Sequence, residues 1–213
     1  MMRGTGWRSA GRVLMLGLLL LGLPSLVAAK VEQSPQQLVI ETTDRILKAL
    51  RAEQAEIEKD PQRLYEIVDE IVLPHFDFRR MSSWVLGKHW RKATPAEREQ
   101  FVKEFRTLLV RTYAAALNDN YDQKIEFLPL RAKKDATEVT VRTEVEVDSG
   151  FPIPINYKMY RTKDGEWLVY DVNIDGVSLV TNYRSAFSKE IRSGGLPRLI
   201  ASLAERNQQA RRD

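Results

Sequence analysis

The chain has 213 residues, 33 lysines and arginines against 29 aspartates and glutamates, a net charge of +4 and no cysteine. The lack of cysteine excludes a disulfide framework and thiolate chemistry, so stability must come from packing. The basic excess is small, and Arg3, Arg8 and Arg12 supply most of it, which argues against a nucleic-acid binder.

Those three arginines precede an apolar run from Val13 to Leu23, then Pro24 and the small-residue ending Val27-Ala28-Ala29. The run is shorter than the ~20 residues of a spanning helix. The pattern reads as a Sec-type signal peptide over residues 1–29, cleaved after Ala29, and no cysteine is present to carry a lipid anchor. Cleavage leaves about 184 residues with a net charge near +1, enough for one domain over residues 30–213. The expected compartment is the periplasm.

Ser34-Pro35 offers an N-cap with proline at the first helical position, and Val39, Thr43, Ile46, Leu47 and Leu50 follow at helical spacing. This helix is predicted to reach about Glu58. Asp60-Pro61 repeats the start signal, Leu64, Ile67, Val68, Ile71 and Val72 form the next stripe, and Pro74 ends it. A short helix from Phe78 to Leu86 should stop at Gly87. Thr94-Pro95-Ala96-Glu97 is a capping box that opens a long helix through Phe101, Phe105, Leu109, Tyr113 and Leu117.

From residue 122 the period changes to alternation. KIEFLPL, TEVTVRTEVEV, FPIPINYKMYRT and EWLVYDVNI read as four strands, with turns at Asp148-Ser149-Gly150 and Lys163-Asp164-Gly165. In the second strand Val139, Val141, Thr143, Val145 and Val147 share the dry face, while Thr140, Arg142, Glu144 and Glu146 take the wet one. The fourth is apolar on both sides: Trp167 and Val169 on one, Leu168, Val172 and Ile174 on the other. After Gly176 the chain turns helical, breaks at Gly194-Gly195 and closes with Leu196, Leu199, Ile200 and Leu203. The expected fold class is α+β, a twisted antiparallel meander of about four strands packed against N-terminal and C-terminal helices.

Signals for chemistry are weak. Gly176-Val177-Ser178-Leu179-Val180 lacks the final glycine of a nucleophile elbow, so Ser178 reads as a helix N-cap. His75 and His89 have no metal-ligand spacing, and no glycine-rich phosphate loop is present. Asp171 beside Tyr170 could serve as an acid/base pair, although a strand-flank aspartate more commonly pairs with a nearby cation. Arg79, Arg80, Lys88, His89, Arg91 and Lys92 bracket Trp84 and Trp90, a tract that fits either a phosphate-rich surface or a solvated helix face.

Two blocks carry a family resemblance: LGKHWRKATPAEREQFVKEFRTLLVRTYAAALNDNY (86–121) and WLVYDVNIDGVSLVTNYRSAF (167–187). With the order of helices, sheet and closing helices, they make the chain resemble the MlaC family of periplasmic phospholipid-binding proteins, also called toluene-tolerance or ABC-transporter auxiliary proteins. His89 stands where the family usually has tyrosine.

The resemblance implies an NTF2-like fold with extra helices and a carrier rather than an enzyme. Its cargo would be a diacyl phospholipid with its acyl chains in an apolar pocket, and no cofactor is expected. The implied partners are an outer-membrane lipoprotein and porin complex and an inner-membrane ABC transporter bearing a ring of MCE domains. The resemblance implies a shuttle between them that maintains outer-membrane lipid asymmetry, with the carrier itself expected to be a monomer. Carried onto this chain, Tyr113 and Val177 become pocket residues. Alternation and helical spacing add Phe105, Leu109, Val141, Val145, Ile153, Ile155, Tyr157, Val172 and Ile174. The competing expectation is a small-molecule isomerase or hydrolase on the same fold, using Asp171 with Tyr170 or Tyr157.

Overall fold

The structure, a computed structural model, describes residues 33–209 other than 134, 148 and 149. The expected signal peptide lies outside these residues, as does most of the Asp148-Ser149-Gly150 turn. Among the described residues no helix is long and apolar enough to cross a membrane.

Helix α1 (Pro35–Lys59) starts where the Ser34 side chain accepts the amide of Gln37, and α2 (Gln62–Ile71) follows a turn in which Asp60 accepts the amide of Gln62. One 3-10 turn, Leu73–His75, carries Pro74 and delivers the chain to α3 (Phe78–Leu86), capped by Asp77. Gly87 ends α3 with φ +52° and ψ −119°, a conformation that a residue with a β-carbon adopts only under strain. It leads into α4 (Lys88–Lys92), five residues that periodicity cannot detect. Thr94 and Glu97 close a reciprocal capping box at the head of α5 (Pro95–Asp119).

Five strands follow: β1 (Ile125–Phe127), β2 (Glu138–Val145), β3 (Ile153–Arg161), β4 (Trp167–Ile174) and β5 (Val177–Ser178). They pair in chain order, every pair antiparallel, into one open sheet. The sheet thus has one strand more than the sequence signals. β5 is two residues long, and it forms because Asp175 and Gly176, both at positive φ, fold the chain back on Ile174. The final helix α6 (Leu179–Gln209) is interrupted at Gly195, just before Pro197, at the expected break.

The sequence expectation for β4 needs correction. Lys158 of β3 pairs with Asp171, yet the next residue, Met159, pairs with Val169, so Tyr170 is an extra residue in β4. A bulge of this kind resets the alternation. Leu168 alone of the expected apolar residues therefore stays on one face, opposite Tyr160, while Trp167 and Val169 fall on the same face as Val172 and Ile174.

That face is part of a core in which Val139, Val141, Met159, Val169 and Val172 meet Met81 and Val85 of α3, Phe101, Phe105 and Leu109 of α5, and Phe187 and Leu199 of α6. A separate core joins α1, α2 and the end of α5 through Leu50, Ile67, Val68 and Ala114. His75 sits beside it, half-buried, and burial followed by the charge of Arg45 holds its imidazole below the usual range. The unfolded chain takes up that proton near pH 6.5, before the folded protein does, so stability present above this pH is lost as pH falls below it. His75→Gln is expected to flatten the loss of melting temperature between about pH 7.5 and about pH 5.5. Parallel curves for the two proteins would refute this account of His75.

Candidate functional site

Strand register gathers most of the sequence-predicted site residues on one face. Val145 lies opposite Ile153, Thr143 opposite Ile155 and then Ile174, and Val141 opposite Tyr157 and then Val172. Val177 pairs with Ile174, while Ile125 and Phe127 of β1 pair with Val145 and Thr143. Cross-strand partners point the same way, so these side chains form one continuous apolar surface.

Burial falls along that surface on β3 and β4, while Thr143 of β2 stays buried. Val139, Met159 and Val169 are buried, as are Val141 and Val172 in the next row. Ile155, Tyr157 and Ile174 are half-buried. At the end of the sheet Ile153 is 36% exposed and Val177 53%, and Phe151, two residues before Ile153, is 94% exposed. The sheet is thus a core at one end and an open apolar rim at the other. Isolated exposed apolar residues are ordinary, but a cluster continuous with the core is a candidate site for an apolar partner.

The helical candidates divide. Phe105 and Leu109 are buried, and the Phe105 ring lies 5.7 Å from Phe101, 5.3 Å from Tyr183 and 6.1 Å from Phe187. They belong to the packed layer beneath the site. Tyr113 is half-buried, and its phenol is pushed up to about 12, first by burial and then by the nearby phenol of Tyr183. Burial likewise raises the phenol of Tyr157. Polar atoms in this region therefore strongly favour the uncharged state.

Tyr183 and Phe127 pack, partly buried, against the same core and join the candidates, and sequence reasoning missed both. Val180, Tyr183, Phe187 and Ile191 recur at helical spacing and could have revealed the first. Phe127 lies in a strand of only three residues.

Asp171, the candidate acid/base group, is 2% exposed and engaged at both oxygens. Oδ2 accepts from Lys158 Nζ at 3.0 Å and Ser178 Oγ at 2.8 Å, and Oδ1 accepts from the Val180 amide at 3.2 Å. Ser178 Oγ in turn accepts from the Thr181 amide at 3.1 Å, the N-cap role expected for it. This network fastens the start of α6 to β4. Tyr170 packs against Trp84 and Tyr160, with the Arg80 guanidinium 4.6 Å from its ring centre. Among the described residues no cluster of His, Asp or Glu could hold a metal ion.

Two surface grooves lie apart from the apolar rim. One of about 650 Å³ runs between α2 and α5 past Tyr65, Asp69, Arg106 and Arg111, and one of about 400 Å³ follows Arg131 to Glu138. Charged groups line both, so neither matches an acyl chain.

Helices over the apolar face of an open antiparallel sheet, with that face left bare at one end, define an α+β protein whose candidate site is apolar. The MlaC protein family model matches residues 40–205, and the chain belongs to that family. The intermembrane phospholipid transport system binding protein MlaC of Haemophilus influenzae is 29% identical over 179 residues, spanning 83% of this chain and 84% of that protein. Toluene tolerance protein ttg2D of Pseudomonas putida is 28% identical over 186 residues, 86% of this chain and 85% of its own length. A phospholipid-binding protein from Ralstonia solanacearum, solved in complex with a phospholipid, is 32% identical with a TM-score of 0.75, covering 82% of this chain and 97% of that one.

Proposed function

We propose that this protein is a phospholipid carrier, holding acyl chains against the apolar face of the sheet and leaving the headgroup at the rim. The observation that carries the reading is the graded burial from Met159 to Val177, on a fold whose solved relative was crystallised with phospholipid. Tyr113, Val141, Val145, Ile153, Ile155, Tyr157, Val172, Ile174 and Val177 line the site in this reading, Tyr183 and Phe127 join them, and Phe105 and Leu109 support it from behind.

The physics constrains such a carrier. Two chains totalling about thirty methylenes gain on the order of 20 kcal/mol on leaving water. Against a bilayer interior the gain is near zero, so the pocket competes with the membrane rather than overwhelming it. Release then needs no energy source within the carrier.

The N-terminal pattern supports a mature chain in the periplasm, a single domain from Lys30. The name of the Haemophilus relative supports service between membranes. The complexes at either end are then an outer-membrane lipoprotein and porin complex and an inner-membrane ABC transporter with an MCE ring. Protein secreted to the periplasm and purified without detergent is expected to show diacyl phospholipid adducts by native mass spectrometry. A compact, adduct-free protein would overturn the carrier reading, and Edman sequencing of the same sample checks the start at Lys30.

A further inference from the structure

We propose that exposed cations of α3, α4 and α6 form a face that seats the protein on an anionic lipid bilayer. Residues 78–96 contain Arg79, Arg80, Lys88, Arg91 and Lys92 and no acidic side chain. The fold adds cations from α6. The Arg184 guanidinium lies 3.2 Å from where a β-carbon on Gly87 would stand, and Arg192 is close enough to act on His89. Burial, then Lys88, Lys92 and Arg192, lower the His89 imidazole, which is neutral at pH 7 and leaves the charge of the face to its neighbours.

Arg79, Lys88, Arg91, Lys92, Arg184 and Arg192 are all exposed, and none forms an ion pair among the described residues. Elsewhere Arg63, Arg106 and Lys124 are neutralised by Glu53, Asp69 and Glu146. The tract is also stiff. Trp90 is held between Arg79 and Arg98, at 5.5 and 5.4 Å from its ring centre, and Arg98 donates to the carbonyls of Trp90 and Arg91. Trp84 on α3 is 42% exposed, an amphipathic ring of the kind that favours a membrane interface.

A bilayer fits better than a protein face. The cations come from three helices, and of the six only Arg79 lines a groove, so the face as a whole has no shaped cleft of the kind that favours protein docking. Headgroups diffuse laterally and can gather under each cation wherever it lies, at roughly fivefold in affinity per cation near an anionic surface. The mature chain is close to neutral overall, so the attraction is local and orients the molecule.

The test is co-sedimentation of the purified mature protein with mixed phosphatidylglycerol–phosphatidylcholine vesicles and with pure phosphatidylcholine vesicles. Binding is expected to the anionic vesicles alone and should weaken as salt shortens the screening length. The double variant Arg91→Gln/Lys92→Gln is expected to bind roughly twenty-fivefold more weakly, with unchanged circular dichroism and an unchanged complement of bound lipid. Lys48→Gln/Lys59→Gln, exposed on α1, controls for net charge and should bind as the parent does. Equal binding to both vesicle types, equal losses in the two double variants, or no binding to anionic vesicles overturns the proposal. The last result, with the α4 variant impaired only in contact with a purified partner protein, would assign the face to an acidic protein. Because co-purifying lipid is measured separately, failure here leaves the carrier reading standing.

Discussion

Val177→Glu is expected to give a stable, monodisperse protein that carries no phospholipid. Val177 is 53% exposed on a two-residue strand after a tight turn, so a carboxylate there remains hydrated in the free protein. Melting should stay within about 0.5 kcal/mol of the parent in stability. Once acyl chains lie on Ile174 and its neighbours, the same carboxylate is placed among methylenes. Either it loses its water or the chains stay away, at a cost of several kcal/mol. Loss of more than about nine-tenths of the co-purifying lipid is therefore expected.

Tyr113→Glu should have the same effect by a harsher route. Burial and Tyr183 already push the phenol up to about 12, so the site resists an anion, and a glutamate there must be either desolvated or protonated. Because Tyr113 packs against the core, this variant also loses stability, and Tyr113→Phe separates the two effects. The phenylalanine variant should fold, lose only the hydroxyl that stands near Tyr183, and keep its lipid. Parent-level lipid in folded Val177→Glu would remove Val177 from the site, and lipid-free Tyr113→Phe would mean that the hydroxyl pair holds the ligand.

The starts and stops of the helices were legible because each rests on a few adjacent residues. Ser34-Pro35, Thr94 with Glu97, and Gly87 after Leu86 all act where the sequence places them. The dry face of β2 was legible for a similar reason, since alternation over eight residues is local. The face of β4 was not. Whether Trp167 shares a side with Val172 depends on the extra residue at Tyr170, and that bulge exists only in the pairing with β3. The burial gradient was hidden too: Val141 and Val177 are both valines in strands, but only the fold decides that one lies beneath helices and the other beyond their reach. Tyr183 escaped notice because its meaning lies in Tyr113, on another helix 70 residues earlier. Local chemistry thus predicted the longer elements and the family of side chains, while the short α4 and β5, exposure, and pairing across elements had to come from the structure.

Asp171→Ala is expected to be the most damaging single polar substitution for stability, while leaving lipid binding qualitatively intact. Removing the carboxylate leaves the buried Val180 amide at the start of α6 without its acceptor and takes one hydrogen bond from Ser178 Oγ, which keeps its contacts with Thr181. The unsatisfied buried amide costs about 1–3 kcal/mol and the lost Ser178 hydrogen bond about 1 more. Lys158 adds little, because its side chain is 41% exposed and can return to water. A total near 3 kcal/mol lowers the melting temperature by roughly 6–12 °C in a domain of this size. Asp171→Asn keeps one acceptor oxygen and should lose about half as much. The pair of variants also separates the two readings of this residue. As a structural anchor Asp171 sets the melting temperature and spares the ligand, so lipid content follows the folded fraction. As a functional group in the site it would do the reverse. An Asp171→Asn protein that melts like the parent but copurifies without lipid would place the carboxylate in the binding site and overturn its assignment as the clamp between β4 and α6.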